Sequence, residues 1–297
     1  MKLLALVPLA LAAFIAGAQP DTAFVPVRVN RADEFHPVAG SGYLAWAHPR
    51  RSGGALDTYL ARRSGRPLRV NPRGTSAIPG GINRATLAYV QWSRAQRWSL
   101  MLYDLHTHRR RALDQRDNTP CLYQSAYDPP SLSGKLLLYG SQFFSGSSCV
   151  ALHALSTGRD LLLERGSVFG ANVAAGQISG RYAVWTSCGR VGCRIRLHDI
   201  STRSTNLVAG APEASGASVS RSGTVYFVRR SPDPACGSSL VRVPLGGSPQ
   251  ELGAPGEHVR IGSSYAVSLK DRTIVYFDAA RCPTGDGDIY AYVDRAG

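Results

Sequence analysis

A repeat of about 45 residues runs through the chain and limits its possible folds more than any other feature. A short turn followed by an apolar strand with one aromatic residue recurs as "SGYLAW", "RATLAY", "SGKLLLY", "SGRYAVW", "SGTVYF" and "DRTIVYF". The aromatic residues are spaced 43, 50, 46, 42 and 49 residues apart. They are Trp46, Tyr89, Tyr139, Trp185, Phe227 and Tyr276.

A second series of strands follows the first, in "TYLARRSG", "LYDLHTH", "LHALSTG", "LHDISTR", "VRVPLGG" and "YAYVDRAG". Between each of these turns and the next aromatic strand there is room for two more strands. Four short strands per period are typical of one blade of a β-propeller. No long window has a helical period, and glycine and proline interrupt the chain every few residues. Six periods therefore predict an all-β fold, a six-bladed β-propeller of four-stranded blades.

The two ends of the chain predict how the ring closes. The final "DIYAYVDRAG" has a strand and a turn, but no residues follow for a fourth strand. Near the other end, "FVPVRVNR" (24–31) repeats the pattern of "PLRVNPR" (67–73), an outermost strand of the first blade. We expect the N-terminal strand to pair with the last blade, which would leave no open sheet edge there.

Several repeats resemble those of a known family. The segments "DGDIYAYVDRAG", "LMLYDLHTHRRRAL" and "VALHALSTGRDLLL" are similar to the "IYxxDxxTG" hairpins of TolB-like, WD40-like (PD40-type) six-bladed propellers. No Trp-Asp dipeptide occurs, which argues against a WD40 domain proper. The resemblance implies an envelope or extracellular scaffold that binds proteins, although a fold does not by itself fix a function.

The first 18 residues have the features of a secretory signal peptide. "MKLLALVPLALAAFIAGA" has a cationic Lys2, an apolar run and a small-residue site before Gln19. The run is shorter than the ~20 residues that span a bilayer, although an uncleaved anchor remains an alternative. We expect a signal peptide at 1–18 and a single propeller domain at 19–297. The mature protein would be secreted or extracytoplasmic, in the periplasm or cell envelope, without a transmembrane segment.

Six cysteines follow the predicted signal peptide, and an even number in an exported protein favours disulfide bonds. All six lie in or beside the longer loops, which the blade topology assigns to one face of the propeller. Six cysteines allow 15 connectivities. The pairs that we expect are Cys121 with Cys149, Cys188 with Cys193, and Cys236 with Cys282.

Polar residues near the channel are candidates for chemistry. His36 and His258 are assigned to the innermost strands of the first and last blades, which become neighbours when the ring closes. Tyr127, Asp128 and Arg260 could join them. Such a group could abstract a proton or bind a small polar ligand. The alternative is that each side chain is hydrogen-bonded in the channel wall.

Recognisable catalytic and cofactor motifs are absent from the sequence. It contains no G-x-S-x-G, H-E-x-x-H or phosphate-binding glycine loop. A peptidase of the oligopeptidase type would need a hydrolase domain beside the propeller, and the six blades account for the chain. Asp286 and Asp288 in "DGD" supply fewer oxygens than the 6 to 8 that calcium takes. We therefore predict no cofactor, no metal site and no catalytic residue.

Positive charge is concentrated in the first two blades. The chain carries a formal net charge of +14, and residues 43–116 hold 14 arginines against Asp57, Asp104 and Asp114, a net of +11. An anionic polymer or lipid surface is one possible partner, whereas export and the lack of interleaved aromatic residues disfavour nucleic acid. The alternative is a solvated face without function. The arginines at the tight turns are Arg62, Arg63, Arg66, Arg109, Arg110 and Arg111.

Two hypotheses of function follow. The first is an exported, non-enzymatic propeller scaffold that binds a protein or envelope partner through its disulfide-stiffened loop face. The second is a channel-centred enzyme or small-ligand receptor that uses His36, His258, Tyr127 and Arg260. Converging polar groups in an open channel would favour the second, and side chains bonded to one another would favour the first.

Overall fold

The computed structural model describes residues 24–28, 33–50, 54–62, 65–113, 121, 124–143, 147–167, 172–211, 214–230, 237–256, 258–282 and 287–295. These residues form 25 β-strands and no helix. Within these ranges, nothing meets the length and hydropathy that a membrane-spanning helix requires. The predicted signal peptide at 1–18 lies outside the described residues.

Six antiparallel sheets form the blades of a six-bladed β-propeller, as the repeat predicts. Blade 1 contains β2 (Phe35–Gly40), β3 (Tyr43–Pro49), β4 (Leu56–Arg62) and β5 (Leu68–Arg69). Blade 2 contains β6 (Thr75–Asn83), β7 (Thr86–Ser93), β8 (Trp98–Asp104) and β9 (Arg110–Ala112). Blade 3 contains β10 (Gln124–Tyr127), β11 (Ser131–Ser133), β12 (Leu136–Phe143), β13 (Ser148–Ala154) and β14 (Arg159–Arg165).

The second half of the ring repeats this order. Blade 4 contains β15 (Asn172–Ser179), β16 (Tyr182–Gly189), β17 (Gly192–Asp199) and β18 (Ser204–Ala211). Blade 5 contains β19 (Ala214–Val219), β20 (Val225–Arg230), β21 (Ser238–Val243) and β22 (Gln250–Gly253). Blade 6 contains β23 (Val259–Ser268), β24 (Thr273–Arg281), β25 (Gly287–Asp294) and, from the other end of the chain, β1 (Phe24–Arg28).

In blade 3, β10 and β11 together take the place of the innermost strand, because both pair with β12. With these two counted as one, the recurring aromatic residue lies in the second strand of every blade. Trp46, Tyr89, Tyr139, Trp185 and Phe227 are buried there, and Tyr276 is partly buried. Burial of such a ring stabilises the fold by about 1.5–3 kcal/mol. Among the described residues, the buried apolar side chains form six clusters, each centred between two adjacent blades, including one between blades 6 and 1. The cluster between blades 1 and 2 also includes Tyr265 of blade 6. The hydrophobic core is therefore divided among the interfaces around the ring.

Strand β1 pairs antiparallel with β25, from Phe24 opposite Tyr292 to Arg28 opposite Ile289. The ring of Phe24 also packs edge-on against Phe277, with 5.7 Å between ring centroids. The outermost strand of blade 6 therefore comes from the opposite end of the chain. Whether the ring depends on this strand for closure stays a prediction.

Aspartates stabilise the tight turns between third and fourth strands. The Asp104 carboxylate accepts the backbone N–H groups of His106 at 2.9 Å and Thr107 at 2.7 Å, which lowers the Asp104 pKa. Asp199 accepts the hydroxyl and N–H of Ser201 in the corresponding turn of blade 4. This is an Asx turn, which fixes the chain reversal locally. In the hairpins that resemble the TolB-like repeat, the aspartate therefore stabilises the turn between the third and fourth strands.

The chain connections define two faces. The turn face carries the tight turns between first and second strands, such as 84–85 and 134–135, and between third and fourth strands, such as 105–109. The loop face carries the connections between second and third strands, such as 190–191, and those between blades.

Candidate functional site

The innermost strand of each blade departs from regular pairing close to the aromatic residue of the second strand. In blade 3, Pro129 and Pro130 separate β10 from β11, because proline has no N–H for the ladder. The blade backbones approach closely at this level, so a Cβ on Gly80 would overlap the carbonyl of Pro130. In the other blades the pairing shifts between Phe35 and Val38, Pro79 and Gly81, Ala175 and Ile178, Ser215 and Ser218, and Ile261 and Ser264.

Described residues line at least two cavities in the central channel. One, of about 360 Å³, lies at the level of the bulges towards the loop face and is lined by His36, Gly80, Pro129 and Asp278. The other, of about 850 Å³, opens between the tight turns on the turn face. Gln177 and Tyr265 border both cavities.

Gln177 and Tyr265 are held by hydrogen bonds across the channel. The Gln177 side-chain N–H donates to the carbonyl of Ala266 at 2.6 Å, and its Oε1 accepts the N–H groups of Ala266 at 2.9 Å and Val219 at 3.2 Å. The Tyr265 hydroxyl interacts with the backbone of Ile82, and burial raises the Tyr265 pKa. These bonds connect blade 4 with blades 5 and 6, and blade 6 with blade 2. Two side chains in the middle of the channel are therefore held by backbone groups of other blades, a feature that the sequence did not reveal.

Of the five channel candidates, His36 lines the loop-face cavity, and the other four line neither of these two cavities. His258 and Arg260 are exposed and line neither cavity, and the His258 carbonyl accepts the N–H of Cys282 at 3.0 Å. Tyr127 is 6% exposed and packs in the core between blades 2 and 3, where burial raises its pKa.

Asp128 supports the backbone of the neighbouring blade. Its Oδ2 accepts the N–H of Ala175 at 2.9 Å, beside the bulge of blade 4. The carboxylate lies against Gly140, where a Cβ would overlap it. This burial raises the Asp128 pKa from 3.8 to about 6, and the Ala175 hydrogen bond only partly opposes the increase.

Asp278 has a comparable place in blade 6 and was missed from the sequence. Its Oδ1 accepts the N–H of Ser263 at 2.9 Å and also the Ser263 hydroxyl, which fixes the bulge of β23. Asp278 lines the loop-face cavity together with His36 and Arg230. The only sequence signal is a Gly-Ser pair, at 262–263, and its partner becomes visible only when the strand register is known.

The predicted disulfides of blades 3 and 4 are confirmed. Cys121 bonds to Cys149, and Cys188 bonds to Cys193, with which it is directly paired across β16 and β17. Cys282 is also disulfide-bonded, but its predicted partner, Cys236, lies outside the described residues.

The second bridge closes a short hairpin, which we call the finger (residues 188–193). Gly189 pairs with Gly192, so residues 190–191 alone form its tip. Val191 is 88% exposed, and Arg190 beside it is exposed as well. The finger therefore presents an apolar and a cationic side chain at the loop face on a covalently closed hairpin.

The predicted basic patch combines exposed and structural arginines. Arg62, Arg66, Arg109, Arg110 and Arg111 are exposed, and Arg63 lies outside the described residues. Two of them have structural partners: the Arg62 Nε–H donates to the Tyr43 hydroxyl at 2.7 Å, and the Arg110 Nε–H donates to the Val70 carbonyl at 2.6 Å. The second bond joins blade 2 to blade 1.

The part of the chain that the structure describes contains no cluster of three or more His, Cys, Asp or Glu side chains that could hold a metal ion. The described histidines of the third strands and their turns have local partners instead, for example His153 with Asp160 at 3.1 Å and His198 with Thr205 at 3.0 Å.

No protein-family model and no curated protein matches the sequence significantly. Solved structures do match the fold. TolB from Acinetobacter baumannii has a TM-score of 0.57 and 17% identity, covering 87% of this chain and 65% of that chain. A proposed TolB from Agrobacterium tumefaciens has a TM-score of 0.58 and 15% identity, covering 89% and 91%. A prolyl endopeptidase has a TM-score of 0.53 and 13% identity, covering 90% of this chain and 51% of that chain.

At these identities the similarity shows the fold, and the resemblance to TolB-like propellers is confirmed at that level. The chain spans less than two thirds of the A. baumannii TolB chain and about half of the peptidase chain.

Proposed function

We propose that this protein is an exported, non-enzymatic β-propeller scaffold that binds a protein or envelope partner through its loop face. The observation that carries the proposal is the finger. Its disulfide bridge and two-residue tip hold Val191, 88% exposed, in a fixed position at that face. An exposed apolar side chain on a rigid support loses little conformational entropy when a partner covers it. Arg190 adds a long side chain of a type that is enriched in protein interfaces.

The state of the channel also supports a scaffold more than an enzyme. Gln177 and Tyr265 in its middle are hydrogen-bonded to backbone groups of other blades, and Asp128 and Asp278 hold backbone groups of the bulges. The alternative, a channel enzyme or receptor, has His36 in the loop-face cavity. Tyr127 packs in the core between blades 2 and 3, so the described residues give less support to a proton-transfer site than to a scaffold.

Export rests on the disulfide bonds and on the signal-like sequence. Disulfides persist in oxidising compartments, and Cys121, Cys149, Cys188, Cys193 and Cys282 are all bonded. TolB-named proteins share the fold. We therefore place the mature protein, residues 19–297, in the periplasm, in the cell envelope or outside the cell.

Affinity capture from the envelope and secreted fractions of the source organism tests the proposal. The mature protein is compared with the finger variant Arg190→Ser/Val191→Ser, which keeps both cysteines and both finger glycines. An arginine at the centre of an interface contributes about 2 kcal/mol, so loss of Arg190 together with Val191 should reduce the captured partner by about thirtyfold or more. Quantitative mass spectrometry measures the change.

The matched control is Leu269→Ser, which removes a side chain that is 45% exposed on the opposite, turn face. We expect it to capture as much partner as the wild type, and all three proteins to melt alike. Equal capture by the finger variant, or no protein enriched by the wild type, would contradict the proposal.

A further inference from the structure

The larger cavity opens on the turn face, away from the finger. It has a volume of about 850 Å³ and is bordered at its inner end by Gln177 and Tyr265. Residues at its mouth, Arg84, Gly134, Lys135, Gly180 and Arg221, are exposed, so the cavity is open to solvent. Binding sites for small molecules have volumes of about 300–1,000 Å³. The cavity is therefore large enough for an organic ligand.

The charged side chains that line this cavity, among the described residues, are all cationic. Arg84, Lys135 and Arg221 line it from blades 2, 3 and 5. None of the three forms an ion pair with any residue that the structure describes. The described lining residues include no aspartate or glutamate. Three cations around a concave opening raise the local concentration of anions.

Hydrogen bonds between blades hold the turns that carry these cations. The Asn83 side chain donates to the Gly134 carbonyl at 2.5 Å, and Gly180 N–H donates to the Ser133 hydroxyl at 3.0 Å. In the same way, Arg221 N–H donates to the Ser268 hydroxyl at 2.6 Å. The positions of the three cationic residues on the rim are thus fixed before any ligand arrives, which lowers the entropic cost of binding.

The inner end of the cavity has an apolar wall, and its Gln177 side chain already has hydrogen-bond partners. Ile82, Leu132, Ile178 and Val267 line the cavity, while the Gln177 amide is already bonded to Ala266 and Val219. A ligand would thus meet charge at the rim and apolar surface below it. This combination is typical of sites for organic molecules that carry anionic groups.

We propose that this cavity binds a small organic molecule with two or more carboxylate or phosphate groups, held by Arg84, Lys135 and Arg221. The anionic groups interact with the rim cations, and the carbon skeleton covers the apolar wall. The site is on the opposite face from the finger and does not depend on the scaffold proposal.

Calorimetric titration of the mature protein tests this assignment with citrate, inorganic triphosphate and, as a neutral probe, glycerol. We expect citrate or triphosphate to bind with one-to-one stoichiometry and glycerol not to bind. Which of the two binds more tightly distinguishes carboxylate from phosphate ligands. Because the contacts are charged, affinity should fall as salt is raised from about 0.05 to 0.5 M.

Three single variants probe the rim: Arg84→Asn, Lys135→Gln and Arg221→Gln. Each should raise the dissociation constant about tenfold, the effect of losing one hydrogen bond to a charged group. Asparagine is chosen at Arg84 because the backbone there has a φ of 24° and asparagine tolerates positive φ. The control is Arg159→Gln, an exposed cation of the turn face that does not line the cavity.

A rise in the dissociation constant for the rim variants but not for Arg159→Gln supports the site. Equal weakening by all four variants would indicate general attraction to a basic surface and would overturn it. Absence of binding by citrate and triphosphate would also overturn it, as would binding of a hexaglutamate peptide alone. Lys135→Gln, in an exposed turn, keeps the test valid if another variant fails to fold.

Discussion

Replacing Asp128 with asparagine should stabilise the protein at neutral pH. Burial raises the Asp128 pKa from 3.8 to about 6, so the folded state holds this proton more tightly than the unfolded state does. Above pH 6 the carboxylate is charged in both states, and the pKa difference corresponds to at most about 3 kcal/mol of lost stability, because the side chain keeps some solvent exposure. Asparagine keeps an oxygen that can accept the Ala175 N–H bond and removes the charge.

The sign of the pH dependence follows from this linkage. Near pH 4 the folded protein has a neutral Asp128, so wild type and Asp128→Asn should be similar in stability. As pH rises from about 4 to 6, the unfolded state loses the proton first, and the wild type should lose up to about 1.4 kcal/mol per pH unit relative to the variant. Urea unfolding of both proteins at pH 4, 5, 6 and 7.5 measures the difference.

Asp199→Asn serves as a control of opposite sign. Hydrogen bonds from Ser201 lower the pKa of Asp199 in the folded state. The stability that Asp199 contributes is therefore fully present above its pKa in the unfolded state. It is lost as pH falls through its lower pKa in the folded state. This variant should be destabilised more at pH 7.5 than at low pH. If the stability difference between wild type and Asp128→Asn did not change with pH, the buried-carboxylate explanation would be refuted.

Other predictions concern the strand ends, the covalent structure and the basic patch. Deleting residues 24–28 should expose β25 and cause aggregation or a less cooperative calorimetric transition; a truncated protein that melts like the full mature chain would show that β1 is dispensable. N-terminal sequencing should find Gln19 as the first residue. Peptide mapping without reduction should find Cys236 bonded to Cys282 and no alkylatable thiol. A Cys121–Cys282 bridge would contradict the assignment of these cysteines to loops of one face. The variant Arg109→Ser/Arg111→Ser should show weaker retention on an acidic-polymer column and weaker co-sedimentation with anionic vesicles. Arg110 is kept because it bonds to Val70. Unchanged retention would indicate that the patch is a solvated face without function.

Local patterns made most of the fold predictable. The spacing from Trp46 to Tyr276 located every second strand, because one large side chain per blade must be buried at an interface between blades. The split of the innermost strand of blade 3 follows from Pro129 and Pro130, but its consequence for pairing required the register. Two cysteine pairs could be chosen because the blade topology brings their loops together.

The channel was less predictable, because its contacts join residues far apart in sequence. Gln177 and Ala266 are 89 positions apart, and nothing near either residue indicates that they meet. Tyr127 and Asp128 are adjacent, yet Tyr127 packs between blades 2 and 3 while Asp128 reaches Ala175 of blade 4. Which way a side chain points at a bulge depends on the local pairing, and the sequence alone does not determine it.

Site-specific photo-crosslinking tests the loop-face claim most directly. A photoreactive amino acid is placed at Val191 in the finger or at Leu269 on the turn face, and cells of the source organism that produce the protein are irradiated. We expect position 191 to give a discrete adduct with one or a few proteins and position 269 to give none of these adducts. The same adducts from both positions, or none from position 191, would contradict binding through the finger.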